Sequence, residues 1–196
     1  MYEKLYRIKG DKKCFIVSCF FYYIIGTVVM FIAVGLTITA MIAMLHSKKT
    51  ETLRVWASLA VKADGLLPLS VIIIFLPALY LVITTWGWNV AWINISLAAL
   101  IMMTFMGPAI NLRRLKNILK AADAETASTP SANLVKTVQD RLLWISVITM
   151  TALAVAIVFL MTVKLGLLGS LVTFGVAIIA GYIASTLLLK RPSLSN

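Results

Sequence analysis

The sequence predicts an all-α fold, a polytopic transmembrane bundle of five helices with short interfacial amphipathic helices. Three observations predict it. Five long apolar runs, Cys14–Leu45, Leu66–Thr85, Val90–Ile110, Leu142–Val163 and Leu165–Leu189, contain no Asp, Glu, Lys or Arg. Each is near or above the roughly 20 residues that cross a hydrocarbon core of about 30 Å. The charges sit between the runs. Hydrophobic residues make up 61% of the chain and charged residues 13%, with a mean hydropathy of +0.99; a soluble domain carries about 25% charged residues. Spans must pair every backbone N–H and C=O internally, which leaves helices or closed barrels. Barrel strands are roughly 10 residues of alternating polarity, and these runs are longer and continuous. No segment between runs is long enough for a separate folded domain, so residues 1–196 read as a single membrane domain.

The N-terminal stretch Met1–Lys13 is basic, with Lys4, Arg7, Lys9, Lys12 and Lys13. The apolar run that follows is too long for the h-region of a signal peptide, about 7–15 residues, and reads as a retained helix. Cys14 and Cys19 are five apart, neither on one helix face nor in a CxxC spacing, and read as free thiols. In the basic loop His46–Gly65, Leu53–Ala63 reads as a short amphipathic helix with Arg54, Ser58 and Lys62 on one face and Val55, Trp56, Leu59 and Ala63 on the other. Such a helix is expected in the headgroup plane or capping the bundle. Asp64, before Gly65 and Pro68, is expected to N-cap the second span. Pro77 is expected to kink that span.

Trp86, Trp88 and Trp92 form an uncharged turn that reads as an aromatic belt at one membrane interface. Asn94-Ile-Ser96 matches a glycosylation sequon but falls inside the third span. That span is expected to close at Gly107-Pro108 and run into an interfacial helix, where Arg113, Arg114, Lys116 and Lys120 surround Leu112, Leu115 and Leu119. The linker of about 121–133 has low hydrophobicity and is expected to be mobile. A turn at Lys164-Leu-Gly166 makes the last two spans an antiparallel hairpin. The last carries a small-residue stripe, Gly166, Ser170, Thr173, Ala177, Gly181 and Ser185, read as a helix-packing seam.

With five spans, the basic loops His46–Gly65 and Asn111–Arg141 share one side with Lys190 and Arg191. Positively charged loops stay cytoplasmic, which gives an N-out, C-in orientation in the plasma (bacterial inner) membrane; the basic N-terminus argues the other way. The formal charge of +11 is explained by topology and anionic lipid, and no nucleic-acid partner is expected.

No ionisable residue falls within the core of a span on this reading, which argues against an ion-coupled pump. Ser70, Asn94, Ser96, Ser146 and Thr149 could line a facilitative path, although hydroxyls bonded to their own helix backbone are the plainer reading. A single histidine, His46, excludes bis-histidine haem ligation and a His-cluster zinc site within one chain. Met41, Met44 and His46 are weak candidates for copper, because methionine is a common apolar filler. No Ser/His/Asp triad, Walker loop, dinucleotide fingerprint or paired-carboxylate site is visible. Catalytic residues and cofactors are therefore expected to be none.

Four short motifs carry a resemblance: Tyr23-Ile-Ile-Gly-Thr27 in the first span, Lys62-Ala-Asp-Gly-Leu-Leu-Pro68 at the second, Gly107-Pro108 at the third, and Leu142-Leu-Trp144 through Lys164 in the fourth. In these the chain resembles a bacterial family of predicted integral membrane proteins (domain of unknown function 2269), loosely similar to the membrane domain of copper resistance protein D. The resemblance covers most of Phe21–Ser185. It implies a small multi-span membrane protein with no assigned reaction. Tyr23 stands where that family often has a His, which removes a metal or haem ligand. The functional expectation is a non-enzymatic accessory or scaffold component of a membrane assembly, partnered by another membrane protein or by a second copy through the last helix. The alternative is a permease for a small solute, with copper as one candidate.

Overall fold

A computed structural model of the chain describes the main chain of residues 2–83, 87 and 90–190, with side chains described from Val17 onward except at 20, 81 and 190. The fold is all-α, and among the described residues there is no strand. In chain order the helices are α1 (Tyr2–Leu45), α2 (Thr50–Leu81), α3 (Ala91–Met106), a π-helical segment (Gly107–Leu112), α4 (Arg113–Ala124), α5 (Ala132–Val138), α6 (Arg141–Val163) and α7 (Leu167–Lys190). Five stretches are helical, long and apolar enough to cross a membrane: Val17–Leu45, Thr50–Tyr80, Ala91–Ala124, Ala132–Val163 and Leu167–Leu189.

α1 packs along α2, and α6 along α7; α3 joins the two pairs. Glycines set the closest approaches. A Cβ on Gly26 of α1 would lie 2.7 Å from Ile74 Cγ1 of α2, and one on Gly181 of α7 would lie 2.6 Å from Thr149 Cα of α6. The α6–α7 hairpin turns where Lys164 takes the left-handed conformation at φ 53, with its N–H on the Leu160 carbonyl at 2.8 Å.

Several sequence-based expectations change here. Leu53–Ala63 is not a separate interfacial helix but the first third of α2, which runs unbroken through Gly65, Pro68 and Pro77. Its inward face is Leu53, Ala57, Ala60 and Ala63, while Val55 is exposed. Asp64 is consequently no N-cap; it lies 14 residues inside the helix. Gly107-Pro108 does not close the third span, because the chain widens into a π turn and continues as α4. The apolar face of α4 is also unavailable to lipid: Leu115, Ile118 and Ala122 are fully buried by protein.

These segments, with α5 and the start of α6, form a packed lobe at one end of the bundle. Its core joins Met41 and Met44 of α1, Leu53 and Ala57 of α2, Leu115 and Ile118 of α4, Leu134 and Val138 of α5, and Leu143 and Trp144 of α6. Burial of this cluster is the driving force, at about 25 cal/mol per Å² of apolar surface. Polar contacts fix its geometry. The Trp144 indole donates to the Val138 carbonyl at 3.1 Å. Asp140 caps α6 by accepting from Leu142 N–H at 3.0 Å and pairs with Arg114. Ser131 caps α5 by accepting from Leu134 N–H. Arg54 reaches across from α2 to the end of α4, donating to the Ala122 carbonyl at 3.0 Å and pairing with Asp123 at 3.1 Å. A cation at a helix C-terminus satisfies otherwise orphaned carbonyls and the helix dipole. The expected linker is partly structured: Ala121–Ala124 belongs to α4, and the Ser128 carbonyl accepts from Thr50 N–H at 3.0 Å.

Candidate functional site

Below the lobe lies a small cavity of about 40 Å³ between α1, α2, α3, the π turn and α6. That is room for a body the size of a water molecule. Most of its lining is apolar, from residues such as Met30, Val71 and Met103. The polar members are Asp64, Asn111, Thr37, Thr104 and Thr151. Asp64 is 3% exposed and Asn111 2%. Asn111 sits in the π turn, a local widening that often marks a functional position. Its amide nitrogen rests on Met150 Sδ at 3.4 Å, and its Oδ1 is buried without a hydrogen-bond partner.

The three threonines each give their hydroxyl proton to their own helix: Thr37 to Ala33 O at 3.0 Å, Thr104 to Leu100 O at 2.8 Å and Thr151 to Val147 O at 2.8 Å. Their oxygens keep lone pairs. Pro68 and Pro108 also line the cavity. A proline has no N–H for the carbonyl four residues back, so Pro68 gives none to the Asp64 carbonyl and Pro108 none to that of Thr104. The cavity is apolar over most of its surface, with one carboxyl group among its lining residues. Among the described residues no hydrogen bond or ion pair reaches that carboxyl, no basic side chain lines the cavity, and the nearby cations Lys62 and Arg113 are exposed.

A second, larger cavity of about 400 Å³ lies toward the opposite end, lined by Tyr23, Thr27, Ala78, Trp92, Met161, Thr162 and Lys164. The Tyr23 hydroxyl contacts Met161 Sδ. Between the two cavities an apolar layer of Met30, Val71, Ile74, Leu100, Ala154 and Ile157 fills the bundle.

The residues singled out from sequence are placed as follows. Met41 and Met44 are in the lobe core, whereas His46 is exposed with Nδ1 2.9 Å from the Ile42 carbonyl; the three do not converge. Ser170, Ala177, Gly181 and Ser185 face inward, Thr173 is half-buried and Gly166 is exposed in the turn before α7. The inward part of the stripe is thus taken up by α6, leaving large apolar side chains such as Val172, Val176, Ile179 and Ile183 on the outer face of α7. Trp92 is buried at the outer cavity; Trp86 and Trp88 lie outside the described residues. Arg113, Lys116 and Lys120 are exposed on the lobe, and Arg114 pairs with Asp140. Of the hydroxyls proposed to line a path, Ser70 bonds its own helix at the Leu67 carbonyl, while those of Ser96, Ser146 and Thr149 are buried without a partner.

Sequence reading passed over Asn111 and gave Asp64 only the role of a helix cap. Gly65 and Pro68 look like helix punctuation and drew Asp64 to a helix start. The signal that finds it is the spacing Leu53, Ala57, Ala60, Asp64, Leu67, Val71, Ile74, Ala78. These steps of three or four residues cross the Gly–Pro segment without a break and put Asp64 on the inward face.

Comparison of the chain with protein-family models, with curated proteins and with solved structures found no match.

Proposed function

We propose that the protein is a non-enzymatic component of a membrane assembly, in which the lobe is the platform that other components meet. The supporting observation is the lobe itself. Connections in a helical bundle are usually short, about 2–8 residues. Here the chain instead extends α2 by four turns and adds α4 and α5 to enclose a separate core around Trp144 and Ile118. Its outer surface presents Lys48, Lys49, Lys62, Arg113, Lys116, Lys120 and Lys136. A rigid, basic surface beside a membrane suits an acidic partner protein, and the positive-inside rule puts it on the cytoplasmic face of a bacterial plasma membrane. The resemblance to predicted integral membrane proteins without an assigned reaction agrees with this reading. Lipid is the other partner, through the outer faces of α1 and α7.

Purification in mild detergent tests the proposal. A stoichiometric partner should co-purify and be lost when Arg113, Lys116 and Lys120 are changed together to Gln, with the melting temperature unchanged. Purification as a lone chain under conditions that preserve membrane complexes would oppose it.

A second reading, a permease for a small solute, is supported by the layered interior of outer cavity, apolar layer and inner cavity with its buried Asp64. A solute-dependent thermal shift of the isolated protein would favour it.

A further inference from the structure

We propose that the bundle holds one anionic phospholipid beside the lobe, with its phosphate against Arg113 and Arg114 and one acyl chain in the groove between α3, α6 and α7. The proposal does not depend on the lobe meeting a protein partner.

Two adjoining cavities match the two halves of such a molecule. The first, of about 380 Å³, lies where the π turn, α4, α5 and α6 meet. Its polar lining is Arg113, Arg114, Asn117, Thr137 and Asp140. Asp140 is paired with Arg114, which leaves the charge of Arg113 unbalanced. Among the described residues neither Arg113 nor Asn117 has a hydrogen-bond or ion-pair partner. Guanidinium groups present the planar, forked donors that phosphate oxygens take up in pairs, and the Asn117 amide adds a further donor. The second cavity, of about 360 Å³, continues between α3, α6 and α7. Its lining is apolar over most of its length, with Met106, Ile145, Met150 and Ile178. Ile110 and Leu142 line both cavities, so the basic pocket and the apolar groove are contiguous. Each volume falls in the range of about 300–1,000 Å³ that holds small organic ligands.

Level and length select a lipid over a soluble anion. Arg113 is the first charged residue after the apolar run Val90–Ile110, and Asp140 and Arg141 are the last before Leu142–Val163. The basic pocket therefore stands at the height of the headgroups. Along α6 the groove runs from Leu142 to Leu153, about 16 Å at the α-helical rise. Half of a hydrocarbon core is about 15 Å, so the groove follows one acyl chain from its headgroup to the bilayer midplane. Met102, Met106 and Ile178 on its rim are exposed, which opens the groove sideways to lipid. At its mouth Arg141 donates to the Tyr182 hydroxyl at 3.0 Å, and Tyr182 lines the groove. That contact sets a second unbalanced cation over the headgroup. Basic pockets between spans are where membrane proteins take up anionic headgroups.

The test is thermal unfolding of the full chain in non-ionic detergent micelles, with phosphatidylglycerol titrated against phosphatidylcholine. A ligand that binds the folded state raises the melting temperature in a saturable way. Phosphatidylglycerol should do so, at a concentration at least fivefold lower than phosphatidylcholine. Arg113→Gln, which removes the unbalanced charge, should move the half-saturating phosphatidylglycerol concentration upward by fivefold or more. Met106→Trp, which fills the groove from its exposed rim, should do the same. Lys120→Gln, an exposed charge on the lobe outside both cavities, should leave the response unchanged. Native mass spectrometry should find one phosphatidylglycerol retained by the natural chain and none by Arg113→Gln. If the variants fail to fold, the comparison of the two lipids on the natural chain decides. Equal responses to the two lipids, an unchanged response in Arg113→Gln or Met106→Trp, or an equal loss in Lys120→Gln would overturn the site. The same rise with glycerol phosphate, which has no acyl chain, would overturn the lipid and leave a free phosphate.

Discussion

At the scale of single residues, the strongest constraints are steric. Gly181 and Gly26 sit where two helix backbones meet, and a side chain on either must displace its neighbour. Gly181→Leu is expected to destabilise the α6–α7 hairpin by several kcal/mol, on the scale of about 1–3 kcal/mol for overpacking a core and more when backbone must move. Ile179→Leu, on the exposed face of the same helix, is expected to cost less than about 0.5 kcal/mol. Melting temperatures in one detergent compare them, and equal tolerance would mean that the stripe reflects composition rather than packing. The stripe could be read from the sequence because small residues at helical spacing survive averaging over unknown partners. Asp64 could not be read by punctuation, since Gly65 and Pro68 end helices in water but are tolerated within spans whose neighbours re-pair the freed groups. Its place is visible only in the inward spacing from Leu53 to Ala78.

At the scale of elements, sequence periodicity identifies an apolar face without saying what covers it. The face of α4, Leu115, Ile118 and Ala122, looks the same whether lipid or protein lies against it. Here protein covers it, and a cavity-forming change should cost the stability of a packed core. Ile118→Ala is expected to lower stability by about 2–5 kcal/mol, measured by chemical unfolding in micelles. A cost near zero would restore α4 to the membrane surface. Arg54 tests the joint between α2 and α4. Its contacts to the Ala122 carbonyl and Asp123 are partly exposed, so Arg54→Ala is expected to cost only about 0.5–2 kcal/mol, the range of a lost helix cap. It should also speed proteolysis after Glu125 before the rest of the lobe is cut. Unchanged cleavage there would show that the cap does not hold the end of α4.

At the scale of the whole molecule, the number of long apolar helices followed from the charge-free runs, because the bilayer enforces length and backbone pairing more strictly than water does. The lobe did not follow. Its parts come from two separate loops and the adjoining ends of the first and fourth spans, whose association depends on tertiary packing around Trp144, which no local pattern encodes. The third span, Ala91–Ala124, separates the Gly87 turn from the Ser128 loop and so puts them on opposite faces. The central claim, a five-span bundle, and the proposed cytoplasmic placement of its lobe are tested most directly by labelling single cysteines introduced at Gly87 and at Ser128 in a chain with Cys14 and Cys19 replaced by Ser. In intact cells a membrane-impermeant maleimide should label the Gly87 position, and should reach the Ser128 position only after the membrane is opened. Labelling of both positions from the same side would contradict the five-span fold, and labelling of Ser128 alone in intact cells would contradict the cytoplasmic placement of the lobe.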